Sequence, residues 1–156
     1  MNLSYYPSPI GLLKITADEQ GICGLSLGRN DVAASEINQP CHSPYLLQAH
    51  AELEEYFAGK RKIFSVPLSL HGTAFQLLVW NALCQIPYGH TLSYSDIATV
   101  IGNPKACRAV GMANNRNPVM IIVPCHRVIG KNGSLVGYGG GLDIKKKLLE
   151  LEKTYR

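Results

Sequence analysis

Three short β-prone segments open the chain, Leu3–Tyr6, Ile10–Thr16 and Gly21–Leu27, separated by Pro7-Ser8-Pro9 and Asp18-Glu19-Gln20. Spacing and separators predict a small antiparallel meander. Ser43-Pro44 then opens a predicted helix with Leu46, His50, Leu53 and Phe57 on one face and Gly59 beyond its end. Ile63–Leu68 reads as a further strand. The first half is therefore expected to be an α+β unit of about 70 residues, the size of a very small domain.

The second half reads as mostly helical. Thr73-Ala74-Phe75-Gln76 has the form of a capping box, and the helix behind it sets Phe75, Val79 and Leu83 on one face with Trp80 beside them in the core. After Pro87-Tyr88-Gly89, Ser93 can cap a short helix carrying Ile97, Ala98 and Ile101 and ended by Gly102. Asn103-Pro104 starts another helix over Lys105 to Ala113, so the pair forms a helix-turn-helix pattern. The apolar run Val119–Val123 reads as a buried strand ending at Pro124-Cys125. A last helix begins at Asp143 and places Ile144, Leu148, Leu151 and Glu152 on a shared face. Domains are expected over 1–72 and 73–156.

At 156 residues, 46% apolar and 17% charged, the chain can bury a core without disulfides and lacks the composition of a disordered protein. No apolar run approaches a membrane span, and the N-terminus has no basic flank followed by an apolar segment, so neither a membrane segment nor a secretory signal is expected. Five cysteines, an odd number without a Cys-x-x-Cys pair, fit free thiols in the cytoplasm. Cys23, Cys41, His42 and His71 match no standard metal spacing, so no metal is expected. The net charge of +4 is unevenly placed: Met1–Gly72 carries five Lys/Arg against seven Asp/Glu, whereas Thr73–Arg156 carries ten against four. Only the second half has the bias of a phosphate-binding surface.

The chemistry concentrates in Asn117-Pro118-Val119-Met120-Ile121-Ile122-Val123-Pro124-Cys125-His126-Arg127-Val128. A lone cysteine after a buried strand is more often an inert core residue. The proline before Cys125 and the histidine after it favour a nucleophile, because a thiol reacts as thiolate and basic neighbours promote its formation. Glu152, four residues after Leu148, points inward on a helical reading and there needs a partner. The helix from Pro104 to Ala113 has small residues at Ala106, Cys107, Ala109 and Gly111, while Arg108 alone reaches out. A helix that reads the major groove normally presents several long polar side chains. Small residues instead permit close approach to a minor groove, with Arg108 able to fill the gap left by an extruded base.

The Cys125 segment and Asn103-Pro104-Lys105-Ala106-Cys107-Arg108-Ala109-Val110-Gly111 closely resemble the signatures of the methylated-DNA–protein-cysteine methyltransferases, or O6-alkylguanine-DNA alkyltransferases. The resemblance is strong from about Phe75 to Glu152. It implies a ribonuclease-H-like α+β domain followed by a helical domain with a winged helix-turn-helix. It further implies single-turnover transfer of the alkyl group of O6-methylguanine in duplex DNA, with O4-methylthymine as a further substrate, to Cys125, without cofactor and by a monomer. By the same resemblance His126 and Glu152 form a cysteine–water–histidine–glutamate relay, and Tyr94 assists nucleotide rotation and protonation of the guanine. Arg108 is the arginine finger, with Lys105, Ala106 and Ala109 beside it on the DNA; Asn117 braces the cysteine turn and Tyr138 stands in the base-pocket loop. One departure is Gly139, where many relatives have serine, leaving only backbone to contact the leaving oxygen. Three other readings stay open at this level: a non-enzymatic binder of damaged DNA, a helix-turn-helix regulator with a structural Cys125, and a cysteine hydrolase. The first sits poorly with the presence of Cys125, and the last with neighbours that point apart on an extended chain.

Overall fold

The computed structural model describes residues 1–138 and 141–156 and divides into two compact units, Met1–Leu70 and His71–Arg156. In the first, β1 (Asn2–Ser8), β2 (Gly11–Ala17) and β3 (Ile22–Leu27) form an antiparallel sheet in sequence order. Pro7 lies within β1, which is an edge strand and tolerates a missing donor. Leu13, Ile15 and Ala17 alternate inward along β2 and are fully buried, the period of a strand with one covered face. A single turn, α1 (Ala34–Ile37), precedes α2 (Pro44–Phe57), which Ser43 caps by accepting from Leu46 N. The buried face of α2 is Leu46, Ala49, Leu53 and Tyr56, while His50 and Phe57 lie at its margin. The stripe is therefore rotated from the expected one, and His50 Nε2 instead meets Ser4 Oγ at 2.7 Å. Leu53→Ala should lower the stability of this unit by about 2–5 kcal/mol, the usual cost of a cavity at a fully buried leucine. Urea denaturation followed by a probe in this unit checks it.

The strand expected over Ile63–Leu68 is reduced to one parallel bridge between Ile22 and Leu68. The reason is local. The amides of Ser65 and Val66 are taken by buried Glu52 Oε1 at 2.8 and 3.1 Å, and Pro67 has no amide to offer a ladder.

In the second unit, α3 (Ala74–Leu83) starts at the reciprocal capping box of Thr73 and Gln76. Its Val79, Trp80 and Leu83 are buried, and Trp80 Nε1 donates to Ala113 O at 2.9 Å. Next come β4 (Leu92–Ser93), α4 (Tyr94–Val100) and α5 (Cys107–Asn115). Ser93 and Asp96 form a second capping box, and Gly102, at φ 80°, ends the first helix of the pair. The second helix begins at Cys107 rather than at Lys105, because Asn103–Ala106 closes a turn through Ala106 N to Asn103 O at 3.0 Å. A two-residue parallel ladder joins β4 to β5 (Val128–Ile129), and α6 (Leu142–Tyr155) completes the unit.

The largest departure from the sequence reading is the apolar run Val119–Val123, which is a buried coil rather than a strand. Asn117 bridges it, accepting from Val119 N at 3.0 Å and donating from Nδ2 to Val123 O at 2.8 Å. Ile121 is driven to φ 72°, a strained value for a β-branched residue. A side chain spanning the run, with prolines at both ends, overrides its β propensity.

Candidate active site

The coil delivers the chain into a 3₁₀ turn, Cys125–Arg127, so Cys125 and His126 are not on an extended strand. Cys125 is 4% exposed and His126 fully buried. From α6, Glu152, which is 1% exposed, reaches His126 with Oε2 at 2.6 Å from Nε2. The inward glutamate read from helical spacing is thus present.

Arg127 is a partner that the motif reading did not single out. Its Nε donates to Glu152 Oε1 at 2.8 Å, Nη2 to Oε2 at 3.1 Å and Nη1 to Ile86 O at 2.7 Å. Gly89 N donates to Glu152 Oε1 at 3.2 Å from a backbone at φ 77°, which favours glycine. Burial alone would raise the Glu152 carboxyl. The His126 and Arg127 contacts outweigh it and hold the group well below the usual carboxylate range.

These contacts assign the imidazole tautomer. An ionised carboxylate only accepts, so Nε2 carries the hydrogen. Burial, with Arg127 and Lys145 adding to it, holds His126 below its ordinary value despite Glu152, and the ring is neutral. Its Nδ1 is therefore a lone-pair nitrogen, buried and without a donor among the described residues. The residue that follows Cys125 in the chain thus carries a buried proton acceptor.

Burial pushes the Cys125 thiol up, against the opposing influence of the Asn117 and Tyr138 side chains and the charge of Lys145. The resting pair is thus thiol and neutral imidazole. Tyr138 is raised by burial and then by Cys125, so its hydroxyl stays protonated and able to donate.

Lys145 is the second unanticipated residue. It has no exposed surface, and its Nζ donates to Val128 O at 2.5 Å and to Val136 O at 2.9 Å. Its signal was present in the spacing, because Lys145, Leu148 and Glu152 follow the i, i+3, i+7 rule and are the buried residues of α6. Residue type hid it, since a lysine is seldom assigned to a core. Val136 O also accepts from the Tyr94 hydroxyl at 2.8 Å, and Tyr94 reaches Gly137 O at 3.2 Å. Burial and Cys125 both raise the Tyr94 phenol, keeping it a donor.

Tyr94 lines an open recess of about 300 Å³ with Cys107, Arg108, Gly111 and the Val136–Gly137 stretch. Lys105, Arg108 and Ala109 are exposed, and Ala106 is half-buried. The structure thus buries Cys125, His126 and Glu152, leaves Asn117 and Tyr138 half-buried, and places Arg108 with Tyr94 at the recess. Gly139 lies outside the described residues. Among those residues no group of three or more His, Cys, Asp or Glu is placed to hold a metal, and no helix is long and apolar enough to cross a membrane.

In class terms this is a two-unit α+β protein, with a three-stranded sheet in its first part and, in its helical second part, a helix-turn-helix beside a buried cysteine–histidine–glutamate cluster. Residues 1–70 match the ribonuclease-like domain of 6-O-methylguanine DNA methyltransferase, and residues 74–154 match its DNA binding domain. The chain is 50% identical over 156 residues to the methylated-DNA–protein-cysteine methyltransferase of Methanosarcina acetivorans, covering 97% of this chain and 98% of that one. It is 50% identical over 159 residues to the constitutive enzyme of that name from Bacillus subtilis, covering 97% and 96%. The crystal structure of Mycobacterium tuberculosis OGT in complex with DNA is similar at a TM-score of 0.88 and 44% identity, over 99% of this chain and 94% of that one. The chain belongs to the 6-O-methylguanine DNA methyltransferase family.

Proposed function

We propose that this protein repairs alkylated DNA directly, taking the alkyl group of O6-methylguanine, and of O4-methylthymine, onto Cys125 in a single turnover. It acts in the cytoplasm as a monomer that binds duplex DNA. The observation that carries the reading is the buried, donor-free Nδ1 of His126, the residue that follows Cys125, with its tautomer held by an ionised Glu152. A regulator with a structural cysteine has no need of that arrangement.

The O6 substituent of a stacked guanine is out of reach of a side chain, so the nucleotide must be extruded. Ala106 and Ala109 let α5 approach the DNA closely, and Arg108 enters the space the base leaves. The thiol proton of Cys125 passes through a water to His126 Nδ1. The sulfur then attacks the methyl carbon in line, forming the S–C bond as the C–O6 bond breaks, and the electron pair leaves with the guanine. Lys145, Asn117 and Tyr138 favour the thiolate form, and Tyr94, released from Val136 O, donates a proton to the departing base. The product is a thioether without an easy leaving group, so the thiol is not regenerated.

Mass spectrometry after mixing with duplex DNA containing O6-methylguanine should find one methyl on the Cys125 peptide and none elsewhere. Tight binding without transfer would instead favour the damage-binding reading. Arg108→Ala should slow transfer from duplex DNA about tenfold and from free O6-benzylguanine about twofold at most, since only the duplex needs its gap filled. Equal losses on both substrates would make Arg108 structural. Lys105→Ala should reduce the slope of log affinity against log salt by about one phosphate contact.

A further inference from the structure

Two asparagines hold the turn that carries Cys125, and the signature around the cysteine contains only one of them. Asn117 spans the coil before it. Asn114, 1% exposed near the end of α5, donates from Nδ2 to the carbonyl oxygen of Cys125 itself at 3.4 Å. Its Oδ1 is buried with no donor among the described residues. Val110 and Ala113 on the same helix are also buried, so an apolar side chain would suit this position. A buried amide with an unmatched oxygen destabilises a fold, and packing does not account for it.

His126 Nδ1 is in the same condition, buried and without a donor. Two unmatched acceptors thus belong to residues directly linked to Cys125, one through a hydrogen bond and one through the peptide chain. A water that accepts the thiol hydrogen has two hydrogens of its own, one for each acceptor. Asn114 also lies six residues after Arg108 on α5, about 9 Å along the helix axis. The helix proposed to meet the DNA therefore grips the backbone of the acceptor residue.

We infer that Asn114 is a positioning residue for alkyl transfer, fixing the Cys125 carbonyl against α5 and accepting one hydrogen of the water that links the thiol to His126. The inference rests on the proposed relay. In that step the thiol proton goes to the water oxygen, a water proton goes to His126 Nδ1, and Asn114 gains and loses none.

The test uses Asn114→Leu, which removes donor and acceptor at similar volume, and Asn114→Asp, which keeps an acceptor and loses the donor. Three quantities are measured: transfer rate at saturating O6-methylguanine duplex and with free O6-benzylguanine, DNA affinity, and the pH midpoint of iodoacetamide labelling of Cys125, read by peptide mass. In Asn114→Leu, transfer from both substrates should fall about tenfold, the rate equivalent of one buried hydrogen bond, with affinity within about twofold. The labelling midpoint should move to higher pH, because the water that accepts the thiol hydrogen loses one of its anchoring acceptors and solvates the thiolate less well, and further still in Asn114→Asp, which adds negative charge. The other groups that act on the thiol, Lys145 from α6, Tyr94 from α4, Tyr138 and Asn117, are untouched. Wild-type rates and midpoint in Asn114→Leu, or a loss confined to DNA affinity, would overturn the inference. If Asn114→Leu does not fold, an unchanged midpoint in Asn114→Asp overturns it alone. Labelling requires no DNA, so a wild-type protein that failed to accept a methyl group would sink the repair reading while the midpoints still reported on Asn114.

Discussion

Cys125→Ala should abolish methyl transfer, to below about one thousandth of the wild-type rate, while affinity for duplex DNA should stay within about threefold. The side chain is 4% exposed and offers no contact to phosphate, so its loss removes chemistry and leaves the binding surface intact. Of the other thiols, Cys84 is exposed and Cys23, Cys41 and Cys107 are half-buried. Only Cys107 comes near the proposed DNA surface, as a lining of the recess beside Arg108. Alanine at each of these four positions should leave single-turnover transfer near the wild-type rate. Methyl transfer that persisted in Cys125→Ala, or that required Cys107, would end the assignment of the acceptor.

Glu152→Gln should act on both stability and rate, and the two effects have different signatures. Arg127 remains buried but loses its counter-charge, which costs about 3–5 kcal/mol of stability. Because the carboxyl is held low in the folded state, its contribution is present above the unfolded value near ~4.3 and is lost as pH falls toward the folded one. The variant should therefore lose most stability at neutral pH and show a flatter decline in acid. Its folded fraction should also transfer more slowly. Without the carboxylate, the His126 ring drops further below its ordinary value and becomes a weaker acceptor for the thiol proton. Transfer should then depend more on solvent hydroxide, and its pH profile should move upward. His126→Ala should share the defect, and the double variant should be no slower than the worse single, as expected of members of one relay. Single-turnover rates against pH for the three proteins, with melting curves alongside, measure both effects. A wild-type pH profile in folded Glu152→Gln would reduce α6 to a structural role and leave the thiol without the proposed activation.

The elements that repeat a local rule were legible. β2 alternates, Thr73 with Gln76 and Ser93 with Asp96 write their capping boxes within four residues, and Glu152 falls on the buried face of α6 by spacing alone. Legibility failed where side-chain hydrogen bonds to the backbone overrode strand propensity. Ile63–Leu68 looks like a strand, but Glu52 takes two of its amides and Pro67 lacks one. Val119–Val123 has the composition of a buried strand, yet the Asn117 side chain closes it into a coil and forces Ile121 to positive φ.

The sequence by itself determined the chemistry available to this protein. A cysteine between a proline and a histidine, an inward glutamate and a basic second half with one reaching arginine follow from residue order, because covalent adjacency and helical period act over a few residues. Tertiary structure decided the state of those groups. Whether Cys125 rests as thiol, which nitrogen of His126 holds the proton, and that Arg127, Lys145 and Asn114 join the site all depend on burial and on partners from other elements. Desolvation and charge act through space, and the distances that set them exist only once α5, α6 and the 3₁₀ turn have packed together.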